Sequence, residues 1–142
     1  MGSRIALRLL KSGRDVTVWN RSAQRLGPLL ARGATAATSP RDAAERCCTL
    51  ITMLADPDAL RAVSEGPDGI AAGAHPDLIL VEMSTVAPAA VAQLASRVEP
   101  TAARVVDAPV LGSLEEAEAG ALTIFVGGSA ELVDRVRPLL AS

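Results

Sequence analysis

The feature that most restricts the fold of this chain is a regular alternation between short apolar runs and capped amphipathic segments. A helical pattern at about 3–12 ends at Gly13, a residue suited to the C′ position. "DVTVW" (15–19) follows as a short buried strand, then a helix with Leu26, Leu29 and Leu30 on one side that runs to Gly33. Ser39, Pro40 and Asp42 occupy the N-cap, N1 and N3 positions of a third helix. "CTLITML" (48–54) is the next strand, and Asp56-Pro57 repeats the cap. "LILVEM" (78–83) is a strand, and Val91, Leu94, Ala95 and Val98 form one helix face. "ARVVDAPV" (103–110) and "LTIFVG" (122–127) are two more strands, and Ser129 caps a last helix through Leu132, Val133 and Val136. Strands that alternate with helices over short loops imply βαβ crossovers and a mainly parallel sheet covered on both faces. The predicted fold class is therefore α/β, within one domain over 1–142.

Composition narrows the function. A net charge of −2 supplies no basic field for nucleic acid or an anionic membrane. No apolar run approaches the roughly 20 residues of a membrane span, and no secretory leader is visible. Cys47 and Cys48 are adjacent, without metal-ligand spacing, and are expected as small buried thiols in a reducing cytoplasm. His75, in the Gly/Pro-rich stretch 65–77, is expected to be solvated and is given no role. No metal site is expected.

The opening "MGSRIALRLL" begins directly with a helix. In a dinucleotide-binding fold a strand runs into G-x-G-x-x-G and then a helix, whose third glycine allows close helix–strand packing. Gly2 stands where that third glycine belongs, so the first strand and the other two glycines would lie upstream of Met1. About 20 residues on, the ribose reader is due. The chain offers Asn20, Arg21 and Ser22 there, with no carboxylate to repel a 2′-phosphate and a planar cation to bind it. That set favours NADP(H) over NAD(H). Asn20 or Ser22 serving only as a helix N-cap is the competing reading.

Four stretches carry a family resemblance: "MGSRIALRLLKSGRDVTVWNRS", "TLITMLADPDAL", "LILVEMSTVAPA" and "VVDAPVLGSLEEAEAGALTIFVGG". In order and spacing they resemble the N-terminal domain of the β-hydroxyacid dehydrogenases, which include 3-hydroxyisobutyrate dehydrogenase and the succinic semialdehyde/glyoxylate reductases. That domain is related to the NADP-binding domain of 6-phosphogluconate dehydrogenase and to the imine reductases. The resemblance implies a Rossmann-type doubly wound sheet, here without its first strand and without the family's C-terminal helical domain. It implies that Met1 and Gly2 end the cofactor loop, and that Asn20, Arg21 and Ser22 read the 2′-phosphate. Met53 and Leu54 would lie along the cofactor, and Ser84-Thr85 beside the nicotinamide. Val110, Leu111, Gly112 and Ser113 would hold the substrate carboxylate through backbone N–H groups and a hydroxyl, with Thr123 nearby. Residues 20–22, 53–55, 84–85 and 110–113 all sit at the C-terminal ends of predicted strands, where open α/β sheets bind ligands. Taken alone, Met53 also fits core filler, Thr85 a helix cap before Pro88, and Gly112 an ordinary turn glycine.

Two departures matter. Many family members carry Ser-Gly-Gly where this chain has Leu111-Gly112-Ser113, which tilts the substrate away from 3-hydroxyisobutyrate towards semialdehyde or glyoxylate-like acids. The family's proton-donating lysine follows this domain, and the sole lysine here is Lys11. The expected function is hydride transfer between NADP(H) and a small 3-hydroxy acid or aldehyde acid, in a parent enzyme that oligomerises through the other domain. This chain alone is expected to lack turnover and to be marginally stable. A non-catalytic NADP-binding module, a gene fragment and an imine reductase are the alternatives.

Overall fold

The alternating pattern produces seven strands and eight α-helices in a computed structural model that describes residues 1–142. They are α1 (Gly2–Lys11), β1 (Thr17–Val18), α2 (Gly27–Leu30, after a 3-10 turn at Ala23–Leu26), β2 (Thr35–Ala36), α3 (Pro40–Glu45) and β3 (Thr49–Thr52). Then come α4 (Pro57–Ser64), α5 (Ile70–Gly73), β4 (Ile79–Glu82), α6 (Pro88–Val98), β5 (Arg104–Asp107), β6 (Val110–Leu111), α7 (Leu114–Ala119), β7 (Thr123–Ile124) and α8 (Ala130–Leu140). No helix is long and apolar enough to cross a membrane.

β3, β4 and β5 form a parallel sheet in that order, with Thr49 opposite Ile79 and Ile79 opposite Arg104. β4 is central and every one of its residues is buried, which explains its nearly continuous apolar sequence. Its side chains alternate between two cores. Leu80, with Leu78 before the strand, packs with Leu60, Ile70, Leu94 and Val98 from α4, α5 and α6. Ile79, Val81 and Met83 pack on the other side with Val106 and Val136 of α8. Each such side chain contributes about 1.5–3 kcal/mol relative to exposure. The caps form as expected: the side chains of Ser39, Asp56 and Ser129 accept from the N–H groups of Asp42, Ala59 and Leu132.

β1 and β2 form a separate parallel pair, and no ladder joins β1 to β3. α1 is the element that reaches both pieces. Ala6, Leu7 and Leu10 pack on Val18, Leu26, Leu29 and Ala34, while Ile5 packs on the core around Val81. No residue of α1 is itself buried. A small cavity of about 50 Å³ lies beside α1, lined by Ile5, Leu9, Ile51, Met83, Leu122 and Ile124, among others.

Several local expectations change. The 103–110 run divides into β5 and β6, because the chain turns at Ala108-Pro109 and β6 pairs antiparallel with β7. The helix after Ser22 is a 3-10 turn followed by one short helical turn, and Leu30 is exposed while Leu26 and Leu29 are buried. The 65–77 stretch contains α5. Cys48 is exposed and Cys47 half-buried, so the two are not both core thiols. Burial pushes the Cys47 thiol up to about 11, and its Sγ donates to the Ala43 carbonyl at 3.2 Å. His75 is half-buried, with Nε2 3.1 Å from the Cys47 carbonyl, a tie between the 65–77 stretch and the start of β3.

Candidate functional site

The N-terminus of α1 abuts the end of β3. Met1 accepts from the Arg4 N–H at 2.8 Å, while the N–H groups of Gly2 and Ser3 have no partner within the chain. Unpaired donors at the positive end of a ten-residue helix suit an anion. A methyl built on Gly2 would lie 3.5 Å from Met53 Cβ, so the helix end faces the loop after β3 with room for about one methyl group between them.

At the end of β1, Asn20 Oδ1 accepts from the Ser22 N–H at 2.9 Å, which closes an Asx turn and leaves Arg21 at its tip. Ser22 makes no side-chain cap bond to the turn that follows. Arg21 is exposed and takes part in no ion pair or hydrogen bond, although most other arginines in the chain do, so its planar donor set is free.

Beyond β3 and β4 a buried polar network takes over from the backbone ladder. The last rung is the Met83 N–H to the Thr52 carbonyl at 2.9 Å. Thr52 Oγ1 then donates to Glu82 Oε2 at 2.5 Å, and the Ser84 N–H donates to Glu82 Oε1 at 2.6 Å. Ser84 Oγ accepts from the Leu54 N–H at 2.8 Å. Asp107 stands opposite Glu82 in register on β5. Burial pushes the Glu82 carboxyl up, and its bonds to Ser84 and Thr52 pull it partly back. Burial also raises Asp107. Sequence reasoning missed Glu82; the available signal was one charged residue inside the otherwise apolar "LILVEM". Thr85 is exposed, and the N-cap of α6 is Ala87, so the Thr85 hydroxyl is not engaged as a cap.

The 110–113 loop is held differently from its sequence expectation. Val110 and Leu111 form β6, and Thr123 lies exposed on β7 opposite Leu111. Gly112 has φ +147°, and a Cβ there would fall 2.7 Å from Leu122 Cδ2. Ser113 is the N-cap of α7 in a full capping box: its Oγ accepts from the Glu116 N–H at 3.2 Å, and its N–H donates to Glu116 Oε2 at 2.6 Å. The Ser113 N–H is therefore engaged within the protein and is not free for a substrate carboxylate. The Gly112 N–H has no partner within the chain, and the Ser113 hydroxyl proton remains free to donate. The bond to Ser113 holds the Glu116 carboxyl below the usual range.

Met1, Gly2, Met53, Leu54 and Ser84 thus form one connected group. Leu111 and Thr123 form a second. No hydrogen bond joins either group to the Asn20–Ser22 turn, which ends the separate β1–β2 pair. Lys11 is exposed in the last turn of α1, at the end opposite the free N–H groups.

A family model for the NAD binding domain of 6-phosphogluconate dehydrogenase matches residues 1–142. The chain belongs to this family. Its members' fold is the Rossmann-like α/β arrangement described above, and its curated relatives include oxidoreductases. The chain is 36% identical over 140 residues to glyoxylate/succinic semialdehyde reductase 2, chloroplastic, of Arabidopsis thaliana, covering 99% of this chain and 39% of that one. It is 34% identical over 140 residues to 3-sulfolactaldehyde reductase of Escherichia coli, covering 99% and 47%. Among solved structures, Psf3 in complex with NADP+ and 2-OPP superposes with a TM-score of 0.94 at 31% identity, covering 99% of this chain and 50% of that one. The chain therefore spans half or less of the length of these relatives.

Proposed function

We propose that this chain is the cofactor-binding part of an NADP(H)-dependent oxidoreductase acting on a small 3-hydroxy acid or aldehyde acid. The observation that carries the choice of cofactor is the free guanidinium of Arg21 at the tip of the Asx turn, with no carboxylate among residues 20–22. The residues fit the group. Arg21 and Ser22 would hold the 2′-phosphate, and the N–H groups of Gly2 and Ser3 the pyrophosphate. Met53, Leu54 and Thr85 would border the nicotinamide half. The bound cofactor supplies or accepts the hydride. The chain's own part is to bind and orient it, and to present the Gly112 N–H and the Ser113 and Thr123 hydroxyls to an acid substrate.

Reduction of a carbonyl also needs a proton donor. Lys11 is at the far end of α1 from the free N–H groups, so this chain is proposed to bind cofactor without sustained turnover. The names of the two reductases favour an aldehyde-bearing acid as substrate of the parent enzyme.

Titration with NADPH and NADH, followed by fluorescence of Trp19 beside the turn, tests the reading. NADPH should bind more tightly. Arg21→Ala should weaken NADPH by about tenfold to a hundredfold, the loss of a charge-assisted hydrogen-bond pair, and leave NADH unchanged. A preference for NADH, or indifference of NADPH to Arg21→Ala, overturns the cofactor choice. Sustained NADPH oxidation with glyoxylate or succinic semialdehyde overturns the absence of turnover.

A further inference from the structure

Glu82 is the only charged residue among the buried ones, and it is fully excluded from solvent. Stability alone gives no reason for it. Moving a carboxylate out of water is costly even when hydrogen-bonded, and an apolar side chain would cap the Leu80 core without that cost. Its burial pushes the carboxyl up, the mark of that cost. What Glu82 does provide is geometry. One oxygen takes the hydroxyl of Thr52 on β3, and the other takes the Ser84 N–H just past β4. Ser84, fixed by that bond, holds the Leu54 N–H through its Oγ. Two strand-end segments that have left the backbone ladder are thereby tied at both sides of one carboxylate. The first of them carries Met53, which faces Gly2 at the N-terminus of α1 across the space of one methyl group.

We infer that Glu82 is a positioning residue: its carboxylate sets the spacing of the 53–54 and 84–85 segments, and so the nicotinamide half of the cofactor site, without touching the cofactor. This rests on the reading that the cofactor lies across these strand ends. Thr52 is its partner in the same role, and Ser84 transmits it.

Three variants and two readouts test the assignment. Glu82→Gln can still accept from the Ser84 N–H and donate to Thr52 Oγ1, so it should preserve the network. Glu82→Ala removes it. Amide hydrogen exchange, which needs no cofactor, should speed up at Leu54 by about tenfold in Glu82→Ala and stay unchanged in Glu82→Gln, although Leu54 does not touch Glu82. NADPH affinity should fall by about tenfold in Glu82→Ala and recover in Glu82→Gln. Adenosine 2′,5′-bisphosphate, which reaches Arg21 and one pyrophosphate position but lacks the nicotinamide half, should bind the wild-type chain and all variants alike. General structural damage would instead weaken both ligands together, and that result overturns the assignment. Unchanged Leu54 exchange in Glu82→Ala also overturns it. If the wild-type chain binds neither nucleotide, the cofactor reading fails, and Leu54 exchange still decides whether Glu82 holds the segments. Should Glu82→Ala not fold, Thr52→Val, which keeps the side-chain shape and removes the hydroxyl, should show the same pattern.

Discussion

Gly112→Ala should be among the most damaging single-methyl additions in the 110–113 loop, and its cost follows from two observations. At φ +147° a residue with a Cβ is strained by about 1–3 kcal/mol. The new methyl would also stand 2.7 Å from Leu122 Cδ2 and 3.2 Å from Glu116 Oε2. Leu122 is half-buried against the cavity beside α1 and has some room to move, so its displacement adds about 0.5–1.5 kcal/mol for an off-rotamer side chain. The sum is about 1.5–4.5 kcal/mol, a large part of the roughly 5–15 kcal/mol that holds a typical domain folded. Gly2→Ala is the internal control. Its methyl would meet Met53 at 3.5 Å, an ordinary contact, in a helical conformation that alanine favours. It should change stability by no more than about 0.5 kcal/mol. Urea unfolding followed by far-UV circular dichroism reads both, as a fall in midpoint at constant slope for Gly112→Ala and no fall for Gly2→Ala. Equal midpoints for the two variants would refute the reasoning, because they would show that neither the backbone angle nor the Leu122 contact limits this turn.

Leu80→Ala, at the centre of β4 and fully buried, should cost about 2–5 kcal/mol in the same urea assay; a loss below about 1 kcal/mol would contradict its place in the core. Asp42 is held below the usual carboxylate range by the Thr38 N–H, so it stabilises the fold above about pH 4 and ceases to do so as pH falls through its lower folded value. Asp42→Asn should accordingly lower the urea midpoint at neutral pH, and that deficit should disappear in acid. Glu82 and Asp107 are shifted the other way, so ionising them costs stability as pH rises through their folded values, and the difference between Glu82→Gln and wild type should move in favour of the variant over that range. In hydrogen exchange, the amides of Leu80 and Val81 should be the slowest and those of the β1–β2 pair distinctly faster; equal protection would show that the two sheets open as one unit.

Much of the fold was legible because its signals are local. A Ser or Asp before Pro marks the starts of α3 and α4, and the apolar runs at 48–54 and 78–83 contain β3 and β4 with one to two residues to spare. β2 was not legible: it is two residues long and both are exposed, so neither apolar alternation nor length betrays it. α5 is a single turn whose only buried residues are Ile70 and Gly73, and Gly73 packs against the Arg41 carbonyl, a contact no short-range pattern encodes. The engagement of Ser113 could have been read, since "SLEE" matches the Ser-x-x-Glu capping box. Its competing role as a substrate group hid that signal. Glu82 was hidden for the opposite reason: its environment depends on Thr52, thirty residues away on a neighbouring strand.

The division of the parallel strands gives α1 an unusual weight. β1 pairs only with β2, and β3 only with β4 among strands, so the edges that face away from those partners are not joined by backbone bonds. The packing of α1 on both pieces therefore carries much of their association, and yet none of its residues is fully buried. Its free N–H groups are also where the proposed pyrophosphate would sit. A ligand that bridges the α1 N-terminus, the Asn20–Ser22 turn and the 53–54 segment would touch both pieces at once. Such a ligand binds the joined arrangement and not the separated one, so it stabilises the joined state by the ordinary linkage relation, about 2.7 kcal/mol at a hundredfold excess over Kd. The same contacts that would recognise the nucleotide would then also hold the β1–β2 pair against the three-stranded sheet.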